Sequence, residues 1–223
     1  MSKNIMIVTP HPDDETLGCG GTILKEIAKG NKVHWLIVTK MNDQIFDKKQ
    51  VQKRQREIEQ VNQEYQFTNV VELPFFAAEL DTVSVGTLVE AISKEFQIIH
   101  PEIVYAPYRS DAHSDHKVVY DATMACTKWF RYPSVEKVLV YETLSETDFI
   151  MNTDANGFRP NVFIDITQYL NKKIEIMKIY ESEISDHPFP RSEKTIRALA
   201  TLRGAAAGVT AAEAFMLVKE RVL

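Results

Sequence analysis

Cysteine is scarce in this sequence, with two in 223 residues, Cys19 and Cys126. Both fall in segments that read as helix starts or interiors, which argues against a disulfide framework and points to a reducing compartment. Glycine and proline are modest as well, at 8 and 9, and nowhere do they gather with serine into a linker. Residues 1–223 therefore read as a single domain, long enough to bury one sizeable core. There is no internal repeat and no low-complexity tract. Long apolar runs are missing too. Met1 to Thr9 is a short β-branched run ending at Pro10, with neither the length nor the flanks of a signal peptide or spanning helix, so a cytoplasmic protein with no membrane span is expected. Nor is there an excess of basic charge: 26 Lys and Arg against 31 Asp and Glu give a net charge of -5. The two signs are interspersed, without the basic stripe that condenses on phosphate backbones, and nucleic acid is not an expected partner. What remains, 44% apolar and 26% charged residues, suits an ordinary globular chain rather than a disordered or fibrous one.

Apolar β-branched runs alternate with stretches of helical period. Ile5 to Thr9, Val33 to Thr39, Val70 to Leu73, Ile103 to Ala106, Val138 to Tyr141 and Val162 to Ile166 read as strands. Thr16 to Ala28, Lys48 to Tyr65, Thr87 to Phe96 and Ser114 to Lys128 read as helices, and Gly30 supplies a stop just past the first. This alternation predicts an α/β fold, a mostly parallel sheet flanked by helices on both faces. The last third reads as helical: Thr167 to Glu183, Ser192 to Leu202 and Thr210 to Arg221, with Pro188 and Pro190 separating the first two. That third is expected to form a pocket wall or a subunit interface, and a homo-oligomer stays open. Ligands of open parallel sheets sit where strands run into helices, so polar residues just after strands take priority.

The first such cluster is His11-Pro12-Asp13-Asp14-Glu15, followed by Gly18-Cys19-Gly20-Gly21-Thr22 at a helix start. An imidazole and a carboxylate three residues apart can meet one zinc ion if Pro12 bends the chain, which makes His11 and Asp14 candidate ligands. Asp13 between them is then the candidate general base for a water activated by the ion. The competing explanation is helix capping, which carries equal weight for Asp13 and Asp14 and is preferred for Glu15. A glycine-rich turn after the first strand also suggests a dinucleotide site. The three-glycine fingerprint is incomplete, however, two acids would repel pyrophosphate, and no Walker lysine follows. The glycines are better read as allowing close packing of helix on sheet.

The second cluster is Asp111-Ala112-His113-Ser114-Asp115-His116, again between a strand and a helix. Packing explains two histidines three apart among acids poorly. Both clusters follow strands of one parallel sheet and can converge on one ion. His116 would complete a His-Asp-His set with an open position, as in catalytic zinc sites. His113, held by Asp115 and protonated, would stabilise the developing oxyanion and pass a proton to the leaving amine.

Elsewhere, Arg54 and Arg56 lie on a charged helix whose solvated face is the default, with Arg54 the better candidate to reach the site. His34, His100 and His187 stand alone and read as structural. Trp129-Phe130-Arg131-Tyr132 reads as core or interface rather than a sugar platform. Asp165 reads as a local cap, and Arg203 and Glu213 as a pair between the final helices.

Together the two motifs resemble the PIG-L/LmbE-like family of zinc de-N-acetylases, whose hallmarks are an HPDDE segment after the first strand and a later Asp-x-His-x-Asp-His segment. Further matches run through Arg54-x-x-Glu57, Tyr141-Glu142, Pro160 to Thr167, Arg203-Gly204 and Ala212-Glu213-Ala214-Phe215. The resemblance implies a Rossmann-like sheet, zinc on His11, Asp14 and His116, a base at Asp13, a His113 oriented by Asp115, and Arg54 lining the site. It also implies a substrate like N-acetylglucosamine, free or in a glycoconjugate, that loses its acetyl group. Iron, cobalt or manganese fits such a site about as well as zinc. Two rival functions remain: a non-catalytic module binding a sugar or metal, and a nucleotide-binding transferase on the same sheet.

Overall fold

The computed structural model of the protein describes residues 2–150 and 157–222. Four strands form where buried, β-branched runs demand pairing on both edges: β1 (Asn4–Thr9), β2 (Lys32–Lys40), β4 (Ile103–Pro107) and β5 (Lys137–Tyr141). With β3 (Asn69–Phe76), β6 (Val162–Asp165) and β7 (Ala212–Glu220) they make a seven-stranded sheet in the order β3-β2-β1-β4-β5-β7-β6. The first five strands are mutually parallel, and β7 pairs antiparallel with both β5 and β6.

Six α-helices accompany the sheet among the described residues: α1 (Asp14–Ala28), α2 (Lys48–Tyr65), α3 (Val85–Ile99), α4 (Ser114–Ala125), α5 (Leu170–Met177) and α6 (Glu193–Ala207). Two apolar layers sandwich the strands. One joins Ile5, Ile7 and Trp35 to Leu17, Val61 and Met177; the other joins Met6, Val8 and Leu36 to Leu88, Phe96 and Val119. None of the described helices is long and apolar enough to cross a membrane. Cys19 and Cys126 are buried and free.

Chain order reverses direction across the sheet at β1, whose neighbours are β2 and β4. A crevice opens at such a switch point beyond the strand ends. The segments leaving β1 and β4, which carry the two chemical clusters, therefore lie side by side.

The C-terminal third departs from expectation. Thr210 to Arg221, expected as a helix, is strand β7, because pairing with β5 on one side and β6 on the other outweighs the helical preference of its Ala, Glu, Met and Leu residues. The helix expected over Thr167 to Glu183 is confined to α5, with turns on either side. Arg203 and Glu213 do not pair. Arg203 forks onto Glu142 (2.7 Å from Nε), while the Glu213 carboxylate meets Lys173 at 2.7 Å and accepts the amides of Gly21 and Thr22. Asp165, expected as a local cap, bonds locally, accepting the amide and hydroxyl of Thr167, but the N-cap of α5 is Tyr169.

Close approach is the reason for the glycines of α1. A Cβ on Gly18 would collide with the Tyr141 ring, and one on Gly21 would fall 2.6 Å from Ile166. Tyr141 is wholly buried and its hydroxyl donates to the Val8 carbonyl at 2.9 Å, so the ring cannot retreat. Gly18→Ala gains about 1 kcal/mol of helix propensity but loses about 1–3 kcal/mol to overpacking. Its thermal midpoint is expected to fall, by about 2–4 °C per kcal/mol of net loss. An unchanged or higher midpoint would refute the close-packing account.

Candidate metal centre and active-site cleft

The turn after β1 places His11 and Asp14 together, and the first turn of α4 brings His116 to them. His11 Nδ1 lies 3.4 Å from Asp14 Oδ2, and His116 Nε2 lies 3.5 Å from the same oxygen. Ligand atoms about 2.0–2.1 Å from one tetrahedral ion stand roughly 3.3–3.4 Å apart, so the three donors are spaced for a shared ion.

Hydrogen bonds on the far side of each ring fix which nitrogen is free. His11 Nε2 donates to Asp115 Oδ2 at 2.9 Å, so Nδ1 is the nitrogen turned toward Asp14. His116 Nδ1 donates to Asp111 Oδ2 at 2.7 Å, and Asp111 is itself held by the Thr147 hydroxyl at 2.6 Å. The buried His116 Nε2 then has no hydrogen-bond partner among the described residues. An orphaned imidazole nitrogen, a carboxylate and a second imidazole, each ring steered by its own carboxylate, form the donor set of a divalent ion. A second group, His11, His113 and Asp115, also lies close together. There His11 Nε2 and the Asp115 carboxylate already bond each other, and His113 Nδ1 is taken by the Asp115 backbone amide, which favours the first group.

Electrostatics agree with a site prepared for positive charge. Burial alone would push His11 down, but its hydrogen bonds with Asp115 and Asp14 lift it to about 10. Burial likewise disfavours the Asp14 carboxylate, yet the neighbouring His116 and His11 hold it down at about 2. Burial, then the charges of Asp14 and Glu183, raise Asp13 well above the usual carboxylate range, while Arg191 opposes them.

His113 is arranged differently from expectation. The Asp115 carboxylate faces His11 Nε2 and the Ala78 amide, and lies 3.9 Å from His113 Nδ1. It is the Asp115 backbone amide that donates to His113 Nδ1, at 3.1 Å, making His113 the N-cap of α4. A ring that accepts at Nδ1 carries its proton on Nε2 and is neutral, where an imidazolium was expected. Burial and the adjacent His11 and His116 hold its pKa below the ordinary value, despite Asp115 and Asp14.

These residues floor a cleft of about 730 Å³, lined further by Arg54, Met41, Phe46, Glu146, Glu183 and Arg191. Arg54 donates to the Pro12 carbonyl at 3.2 Å and pairs with Glu57 at 3.2 Å. Arg56, His34, His100, His187 and Trp129 do not line the cleft. Glu146, which accepts the His113 amide at 3.0 Å, and Glu183 and Arg191 carry no local sequence signal, because each reaches the cleft through the fold alone. Asp111 had one: it opens the Asp-x-His-x-Asp-His segment.

The family model for PIG-L, GlcNAc-PI de-N-acetylase, matches residues 6–127, a span that contains both clusters. An uncharacterized deacetylase of Escherichia coli, YaiS, is 27% identical over 192 residues, covering 81% of this chain and 91% of that protein. The diacetylchitobiose deacetylase of Thermococcus kodakarensis is 25% identical over 97% of this chain and 83% of its own. Among solved structures, the N,N'-diacetylchitobiose deacetylase of Pyrococcus horikoshii superposes with a TM-score of 0.80 at 20% identity, covering 98% of this chain and 84% of that one. The last likeness shows the fold. With the matched span exceeding half the sequence, the chain belongs to the PIG-L family of GlcNAc-PI de-N-acetylases.

Proposed function

We propose that the protein is a metal-dependent hydrolase that removes the acetyl group from the nitrogen of an N-acetylglucosamine-type sugar, free or in a glycoconjugate. The observation that carries this reading is the convergence of His11 Nδ1, Asp14 Oδ2 and His116 Nε2 beside the Asp13 carboxylate. His11, Asp14 and His116 would hold the ion, with zinc the first choice and iron, cobalt or manganese chemically acceptable. Bound there, a divalent ion supplies Lewis acidity to an amide carbonyl and acidifies water.

The chain's own residues do the rest. Asp13, in the cleft lining beside the metal donors, takes a proton from the attacking water. His113, its Nε2 proton fixed by the bond at Nδ1, donates a hydrogen bond to the carbonyl oxygen as that oxygen gains charge. Asp115 steadies both imidazoles, His11 through its carboxylate and His113 through its amide. The proton collected by Asp13 passes to the departing nitrogen, so amide and water become acetate and free amine. A cleft of about 730 Å³ suits a small sugar conjugate, and the deacetylases of chitobiose among the relatives act on such a compound.

Product analysis by mass spectrometry tests the substrate class. N-acetylglucosamine derivatives are expected to yield the free amine while N-acetylated amino acids are left intact. Equal hydrolysis of both would refute the sugar assignment.

A further inference from the structure

Asp13 sits at φ 120° and ψ -30°, a backbone conformation that a side chain disfavours and that persists only where the surroundings impose it. Local bonds account for part of that imposition. The Asp13 amide donates to Glu15 Oε2 at 3.0 Å, and its carbonyl accepts from Thr16 and Leu17. The remainder comes from far along the chain. Arg54 donates through Nη1 to the Pro12 carbonyl at 3.2 Å and through Nη2 to Glu183 Oε1 at 2.5 Å. The other oxygen of Glu183 meets Arg191 Nη2 at 3.0 Å, and Arg191 Nη1 lies 3.5 Å from Asp13 Oδ2. This circuit leaves the chain at the carbonyl of residue 12 and returns at the side chain of residue 13. Both ends thus grip the strained peptide. Its arginines are seated on aromatic rings, Arg54 over Tyr180 at 5.4 Å and Arg191 over Phe189 at 5.6 Å.

We propose that Arg54, Glu183 and Arg191 form a clamp that sets the direction of the Asp13 carboxylate, with Arg191 its positioning residue. Glu183 is the shared anvil: one carboxylate orients two guanidinium groups, a geometry that the planar fork of arginine meets and a lysine meets poorly. Arg191 acts through Asp13 and is given no contact with substrate. The inference rests on the proposed hydrolysis only for its kinetic consequence.

Two measurements test it. In the metal-loaded enzyme, Arg191→Gln and Glu183→Gln are expected to lower kcat by about ten- to a hundredfold while changing KM by less than about threefold. Metal content should be unchanged, and Arg191→Lys should recover part of the rate. Independently of turnover, a thermal-unfolding cycle of Asp13→Asn, Arg191→Gln and the double variant should be non-additive. An unchanged kcat in folded, metal-loaded Arg191→Gln overturns the proposal, and so does additivity in the thermal cycle. Should Arg191→Gln fail to fold, Arg191→Lys and Glu183→Gln carry the same test. Wild-type protein inactive on every acetamide would defeat the hydrolase reading, and the thermal cycle would still decide the clamp.

Discussion

Replacing Asp13 by asparagine is expected to lower kcat by about a hundredfold or more while leaving the metal in place. The amide keeps the size of the carboxylate and can still face Arg191, but it cannot accept a proton from water. Metal retention follows from geometry: the ion's donors are His11, Asp14 and His116, and Asp13 belongs to neither donor group among the described residues. Metal analysis beside steady-state kinetics separates the two roles. Loss of metal from Asp13→Asn would show that the neighbouring aspartates are assigned the wrong way round, and a rate close to wild type would remove Asp13 as the base.

His116→Ala should have the larger effect. It deletes the buried nitrogen that has no hydrogen-bond partner among the described residues and strands two carboxylates, Asp14 at 3.5 Å and Asp111 at 2.7 Å, without the imidazole they face. The two ligands left, three residues apart in one turn, hold an ion far more weakly than three. The expected outcome is metal-free protein and a loss of activity on the order of a thousandfold or more. Stability should fall as well, since uncompensated buried carboxylates are costly. Elemental analysis and kinetics on folded protein check this, and full metal occupancy with ordinary turnover would contradict it.

Much of this arrangement is legible in the amino-acid sequence, for physical reasons that differ between residues. The central strands β1, β2, β4 and β5 are buried on both faces, so they appear as unbroken apolar runs that no amphipathic helix would show. The candidate metal donors are legible because the fold concentrates chemistry where strands run into helices, and each cluster is compressed into six residues or fewer. Strand β7 is not legible: Ala212 to Leu217 contains no β-branched residue, and its partners lie some fifty residues upstream in β6 and farther in β5. The side-chain steering of the imidazoles is only half legible. Spacing brings Asp115 near His113, but its carboxylate turns instead to His11 Nε2 and to the Ala78 amide, both on other segments. Glu183 and Arg191 have no pattern to reveal them. A lone arginine after a proline-rich turn looks like any surface charge until the fold lays it against Asp13.

Acetate release from a panel of N-acetylglucosamine derivatives, measured before chelation, after chelation and after zinc is restored, tests the central claim most directly. The account predicts release that chelation abolishes and zinc restores, with Asp13→Asn inactive throughout. Release that continues undiminished after the metal is stripped would contradict it.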